Sequence, residues 1–363
     1  MKLSVLDLVS VRRGQTTGQA LRASKSLVDT ADRLGFTRYW VAEHHNMPSV
    51  ASTEPGVELM YLGRDTQRIR LGSGGVMLPN HAPLAIAEQF ALLSAVYGDR
   101  IDLGIGRAPG TDPITSAAMR GHLGDAHLVD RSGVRIDPVE NFPQHVMDVL
   151  ALLTPEGARV PLMNDREHVL HATPASEHAA QVWLLGSSGY SAQLAAMLGL
   201  PYVFAHHFAG TGTESALNLY RNSFEPTEHS ARHGGTSLAE SRTFLTMNAV
   251  VAPTEEEARL LAEPHIHSMA GLRIGRTPEP MRLVGEDVRS VMTDGDRHLG
   301  EAMTKSWIIG DPQQAADRAR EAAERFGVDE IMIHPVAGAY PEDPLTEIPM
   351  RVRTLELLAA ELL

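Results

Sequence analysis

Residues 69–110 read IRLGSGGVMLPNHAPLAIAEQFALLSAVYGDRIDLGIGRAPG. Ile69 to Val76 is a short apolar run, Leu84 to Tyr97 carries apolar residues at helical spacing, and Ile101 to Gly106 is a second short apolar run. A strand, a helix and a strand in that order make a parallel βαβ unit. Both strands run into glycine-rich turns, where such units place their ligand sites.

The same alternation continues in both directions. Apolar runs at Leu3 to Leu8, Tyr39 to Ala42, Val182 to Leu185, Tyr202 to Ala205, Arg242 to Val251 and Glu330 to His334 bring the number of strands to eight. Helical segments follow nearly all of them, at Thr17 to Leu34, Glu54 to Asp65, Ser191 to Leu198, Gly212 to Phe224, Thr254 to Ser268 and Pro312 to Phe326. Their ends are punctuated. Thr254 precedes three glutamates at a helix start, Asp311-Pro312 starts another, and Gly35, Gly199 and Gly327 stand where helices stop. Eight βα units close into a (β/α)8 TIM barrel, here a single domain over 1–363. Two segments exceed a simple connection and are read as insertions after strands 4 and 7, at about 109–181 and 265–306. The second has weak periodicity and reads either as a lid or as a solvated helical excursion.

The chain has 363 residues, 45 acidic against 32 basic, a net charge of −13 and no cysteine. Without cysteine there are no disulfides, thiolate metal sites, iron–sulfur clusters or thiol nucleophile, so redox work requires a borrowed cofactor. The acid surplus disfavours nucleic acid and anionic membranes as partners. No apolar run is long enough to span a bilayer, and the opening MKLSVLDLVSVRRGQ is charged too early for a signal peptide. The expectation is a cytoplasmic protein that acts on a small molecule.

Candidate chemistry gathers at the strand ends. Glu43-His44-His45-Asn46 follows the second strand and sets imidazoles beside a carboxylate. Gly72-Ser73-Gly74-Gly75 lies inside the third, where glycines mark a bulge or the close approach of something flat. Gly104 to Gly110 invites a dinucleotide reading, but Pro109 falls where the helix should begin and no strand ending in an acid follows about 20 residues on. Arg107 in that turn suits an anion instead. Gly186-Ser187-Ser188-Gly189-Tyr190-Ser191 opens a helix, and free N–H groups with hydroxyl donors there suit a phosphate, although capping explains one serine. His206-His207 and His334 end the sixth and eighth strands, and a metal held by His44, His207, His334 and Glu43 is the rival reading. No nucleophile elbow of the form GxSxG is present.

Together the segments YWVAEHHNMPSVASTEP, IRLGSGGVMLPNHAPLAIAEQFALL, GDRIDLGIGRAPGTDP, WLLGSSGYSAQLAAMLGLPYVFAHHF and IIGDPQQAADRAREAAERFGVDEIMI resemble the bacterial luciferase-like flavin-dependent monooxygenase family over nearly the full length. The resemblance implies a barrel that takes reduced FMN from a separate flavin reductase and uses molecular oxygen on a small organic substrate. A deazaflavin coenzyme with hydride transfer, or a non-catalytic flavin-binding relative, are the alternatives. His44 matches the active-site histidine beside the flavin. Gly74 and Gly75 match the pair whose cis peptide packs on the flavin ring, and Arg107 with Ser187, Ser188, Gly189, Tyr190 and Ser191 match the phosphate-binding positions. Luciferase itself has a cysteine at the place of Gly106, a carboxylate at Ser187 and an aromatic aldehyde pocket. With aromatics at 5%, this chain gives no reason to expect light emission. Members of the family commonly dimerise, and the helical faces at Glu54 to Gln67 and Leu84 to Tyr97 suit a homodimer.

Overall fold

The computed structural model describes residues 1–121, 139–162, 166–175, 177–227 and 239–363. Parts of the expected 109–181 insertion therefore lie outside the described residues. Eight parallel strands close a barrel: β1 (Lys2–Asp7), β2 (Arg38–Val41), β3 (Arg70–Ser73), β5 (Ile101–Gly106), β8 (Gln181–Gly186), β9 (Tyr202–Phe204), β10 (Thr243–Val251) and β12 (Glu330–Pro335). The run expected as one strand at 69–76 breaks at Gly74-Gly75, and its remainder, β4 (Val76–Met77), pairs with β5. A short hairpin, β6 (Ala158–Pro161) with β7 (Glu167–Leu170), decorates the connection between β5 and β8. A further strand, β11 (Ile308–Gly310), joins the far half of β10, from Ala249 to Val251, after β9 has ended at its pairing with Leu245.

The helices start and stop for local reasons. Thr16 and Gln19 form a capping box before the helix Thr17–Leu34, whose Ala20, Ala23, Leu27, Val28 and Ala31 face inward at three- and four-residue spacing. Gly35 ends it at φ 89°, a left-handed conformation that favours glycine. Asp311 and Gln314 repeat the device before Pro312–Phe326. The helix expected to end at Ser268 runs on to Arg273. Within 265–306, the helices Glu286–Arg289 and Asp294–Met303 follow, and Ala270, Val284 and Met303 join a small core with Trp307 and Ile309. The weak periodicity of that segment reflects short helices folded against the body.

Side chains on a strand alternate, so every second residue points into the barrel. The interior is filled in layers. At the bottom, Arg38 donates to both oxygens of Glu330 (2.6 and 3.1 Å) and to Asp102 (2.6 Å), while Arg70 grips the other oxygen of Asp102 and Ser4 donates to Glu330. Above it Trp40, Trp183 and Phe244 pack with centroids 5.1–5.7 Å apart, and the Arg38 guanidinium lies 4.9 Å from the Trp183 ring centre. The neighbouring inward positions are glycines because the layer has no room left. A Cβ on Gly104 would sit 2.0 Å from the Ser73 carbonyl oxygen, and one on Gly72 would sit 2.6 Å from the Trp40 indole nitrogen.

Breaking a buried ion network strands the remaining charges, which costs about 3–5 kcal/mol. Arg38→Met is therefore expected to lower unfolding stability by about that amount in urea titration. Arg70→Gln, at a partly exposed site, should cost less, and equal losses in the two variants would contradict this assignment.

Candidate functional site

Because the lower barrel is plugged, chemistry is left to the carboxyl ends of the strands. After β2 the chain carries Glu43, whose fully buried carboxylate is a hub. Its Oε1 accepts from His45 Nε2 (2.9 Å), His81 Nε2 (2.8 Å) and Asn80 Nδ2 (3.3 Å), and its Oε2 accepts from the Met77 amide (2.8 Å). Burial alone would raise its pKa, but these donors win and hold it at about 2. His81 is correspondingly raised, its burial outweighed by Glu43. The donor atoms of Glu43, His45 and His81 lie within 4.8 Å of one another, spacing that a metal would also accept, and hydrogen bonds account for it. The hub ties the loop after β2 to β4 and thereby positions His44. The half-buried His44 has its amide bonded to the Ser52 carbonyl (3.0 Å), and its Nδ1 is buried without a partner. Burial lowers its pKa to about 4, with Glu43 opposing.

A second group gathers opposite. His207 follows β9, His334 ends β12, and His265 comes from the helix Glu255–Arg273. The His334 ring stands edge-on to His207 at 5.9 Å and to His265 at 5.5 Å, and His265 packs on Trp307 at 5.2 Å. Burial is the largest cause in each case: His207 and His265 fall to about 3, and His334 lies well below its ordinary value. All are neutral at physiological pH. His206, expected alongside, turns away to Thr213 (2.7 Å). Glu43 faces His45 and His81, so the four-ligand set with His44, His207 and His334 does not assemble around it. A cavity of about 1450 Å³ opens beside His207, Met247 and Trp307.

The third wall is nearly free of side chains. The Gly74-Gly75 peptide is cis, and a Cβ on Gly75 would meet the Gly104 carbonyl oxygen at 2.7 Å. Pairing of Gly106 with Leu185 brings Arg107 beside the turn after β8. There the Arg107 guanidinium lies 4.1 Å from the centre of the Tyr190 ring, and the helix Gly189–Leu198 begins. Ser188 occupies the cap position, yet its hydroxyl makes no capping bond, which corrects the expectation that capping occupies one serine. Ser187 and Ser188 are exposed, leaving hydroxyls and helix-end amides available to an anion. Ser191 is buried against Gly186.

His44, Gly74, Gly75, Arg107 and the segment Ser187 to Ser191 thus all belong to the same end of the barrel. Sequence reasoning missed the hub role of Glu43, and it missed Asn80 and His81 as its donors, although they stand just beyond the glycine pair. It also passed over Asn248, detectable only as an inward position of a long strand, and His265, which lies where the expected helix Thr254 to Ser268 meets the 265–306 insertion.

Residues 1–330 match the luciferase-like monooxygenase family. The protein YvbT of Bacillus subtilis (strain 168) is 36% identical over 357 residues, covering 98% of this chain and 95% of that protein. A luciferase-like monooxygenase of Escherichia coli (strain K12) is 37% identical over 335 residues, covering 91% and 90%. The crystal structure of apo-MsnO8 superposes with a TM-score of 0.77 at 28% identity, over 99% of this chain and 98% of that one.

The buried imidazoles carry a pH signature. Their folded pKa values lie below the ordinary 6.5, so the unfolded chain takes up protons first as pH falls. Stability present above pH 6.5 is therefore lost toward the folded values, by about 1.4 kcal/mol per pH unit for each imidazole kept neutral. The thermal midpoint should drop from pH 6.5 to about 4.5, and less steeply in His265→Phe, which keeps an aromatic ring against Trp307. Parallel pH curves for the two proteins would rule out a neutral buried His265.

Proposed function

The chain belongs to the luciferase-like monooxygenase family, and from that premise we propose that it is a monooxygenase that takes reduced FMN from a separate reductase and uses molecular oxygen on a small organic substrate. One observation carries the reading: a neutral histidine, a glycine wall and an anion cradle converge at one end of a barrel whose other end is plugged. The fit is physical. A flat ring needs a wall without side chains, which Gly74 and Gly75 provide. A phosphate needs donors, and Arg107, the Ser187 and Ser188 hydroxyls and the amides opening the helix Gly189–Leu198 supply them.

Bound reduced FMN would supply the electrons that activate oxygen. The residues do the remainder. Arg107 and the serine turn hold the phosphate, the glycine wall seats the ring, and His44 holds or passes a proton at Nδ1, which no other group occupies. Leu6, Leu8 and Leu185 pack with the aromatic layer and would keep water out of it. The loop from Arg107 to Asp112 before the next helix, at Pro113, supports a single phosphate over a dinucleotide.

Anaerobic titration with reduced FMN and a reduced deazaflavin coenzyme tests this. Tight binding of reduced FMN is expected, weakened roughly tenfold or more by Arg107→Ala. His44→Ala should keep that affinity but release more hydrogen peroxide per oxygen consumed. Preference for the deazaflavin would assign hydride transfer instead, and unchanged coupling in His44→Ala would remove the role given to that residue.

The helices Pro55–Leu62 and Pro83–Tyr97 pack side by side and expose Val57, Met60, Tyr61, Leu92 and Val96. We propose that this shared face pairs with its own copy about a twofold axis, since one apolar patch presented twice is self-complementary. Light scattering is expected to give a dimer mass, and Val57→Asp with Val96→Asp to give a monomer. A monomeric unsubstituted protein would dismiss the proposal. Among the described residues no helix is long and apolar enough to cross a membrane.

A further inference from the structure

The ends of β10 and β12 lie across the barrel from the glycine wall and take no part in the cofactor site just proposed. Asn248 and His334 are register partners on these strands. They share the inward face with Phe244 and Met332, which pack in the barrel interior two layers below and one layer below. Both side chains therefore point into the mouth.

Their hydrogen bonds set the chemistry of His334. Asn248 Nδ2 donates to the His207 carbonyl at 3.0 Å, which turns its amide oxygen toward His334 Nδ1 at 2.9 Å. An amide oxygen only accepts, so Nδ1 carries the ring hydrogen and Nε2 is left as a bare lone pair. That Nε2 is buried without a partner on a residue only 3% exposed. His207 and His265 stand edge-on against the ring and keep it in place, and His207 Nδ1 is unpartnered as well. A buried acceptor without a donor is destabilising in the resting protein, and a ligand that supplies the donor relieves it.

We propose that His334 Nε2 is the polar anchor of the organic-substrate pocket and accepts a hydrogen bond from an uncharged hydroxyl, thiol or N–H on the substrate. This rests on the monooxygenase reading above. A carboxylate has no hydrogen to give at neutral pH. An ammonium would face the buried Arg351, whose charge acts on both His334 and His265. An uncharged donor meets neither obstacle.

The test is nitrogen NMR on histidine-labelled protein without flavin, with cyclopentanol, cyclopentanone and cyclopentanecarboxylate as probes of matched shape. In the free protein His334 is expected as the Nδ1–H tautomer with an unprotonated Nε2. Cyclopentanol should shift Nε2 toward the hydrogen-bonded range, and the ketone and carboxylate should not. His334→Phe should bind cyclopentanol roughly fivefold more weakly while reduced FMN affinity stays unchanged. An Nε2–H tautomer, a response to the carboxylate, or no response to cyclopentanol would overturn the proposal. A shift caused by reduced FMN alone would place His334 against the cofactor and overturn it too. Because tautomer and probe response are read without flavin, failure to bind reduced FMN would defeat the functional reading separately.

Discussion

The structure hangs on one guanidinium. Arg38, wholly buried at the foot of β2, holds Glu330 from β12 and Asp102 from β5, while Arg70 from β3 completes the pairing of Asp102. Four strands on one side of the barrel are thus tied through charges that cannot find water. Burial works against the charge on Arg38, and the two carboxylates outweigh it. Such a network contributes less net stability than its contacts suggest, because each charge was taken from water to make it. Its value is geometric. Strand register is fixed at one end, the aromatic layer of Trp40, Trp183 and Phe244 closes the middle, and the carboxyl ends of the strands are left for the site.

From that constraint the mouth inherits its precision. His44 lies four residues beyond Trp40, Gly106 two beyond Gly104, and His334 two beyond Met332. Their positions follow from the same alternation that packs the interior. The mouth then divides by charge. Glu43 gathers His45 and His81 behind the wall as an anion with donors, Arg107 offers a cation on the outer rim, and His44, His207, His265 and His334 are kept neutral by burial. A protein of net charge −13 can therefore present a cationic group and uncharged imidazoles at one end of its barrel, because whole-chain charge describes the surface.

Much of this was legible in the residues. Periodicity marked the eight strands and most helices, since burial on two sides of a strand and one side of a helix leaves distinct patterns. Glycines at 72, 74 and 75 marked a bulge or a close approach, and His44, Arg107 and the serine turn stood at strand ends, where a parallel barrel puts its site. The departures are instructive. The 69–76 run looked continuous but divides at the glycine pair, because apolar character does not report a backbone break. β11 was not among the strands read from the sequence, since a strand that joins halfway along a neighbour has no pattern of its own.

The sequence by itself determined the barrel, its polarity and the residue types at its mouth, because these depend on local periodicity and on chain order. Only the tertiary structure decided which of those residues meet. Glu43 chose His45 and His81 over His44, His206 turned to Thr213, and Asn248 oriented His334, in each case through hydrogen bonds between residues from different elements. The protonation of those imidazoles was decided there as well, because burial sets it and burial exists only once the barrel has closed.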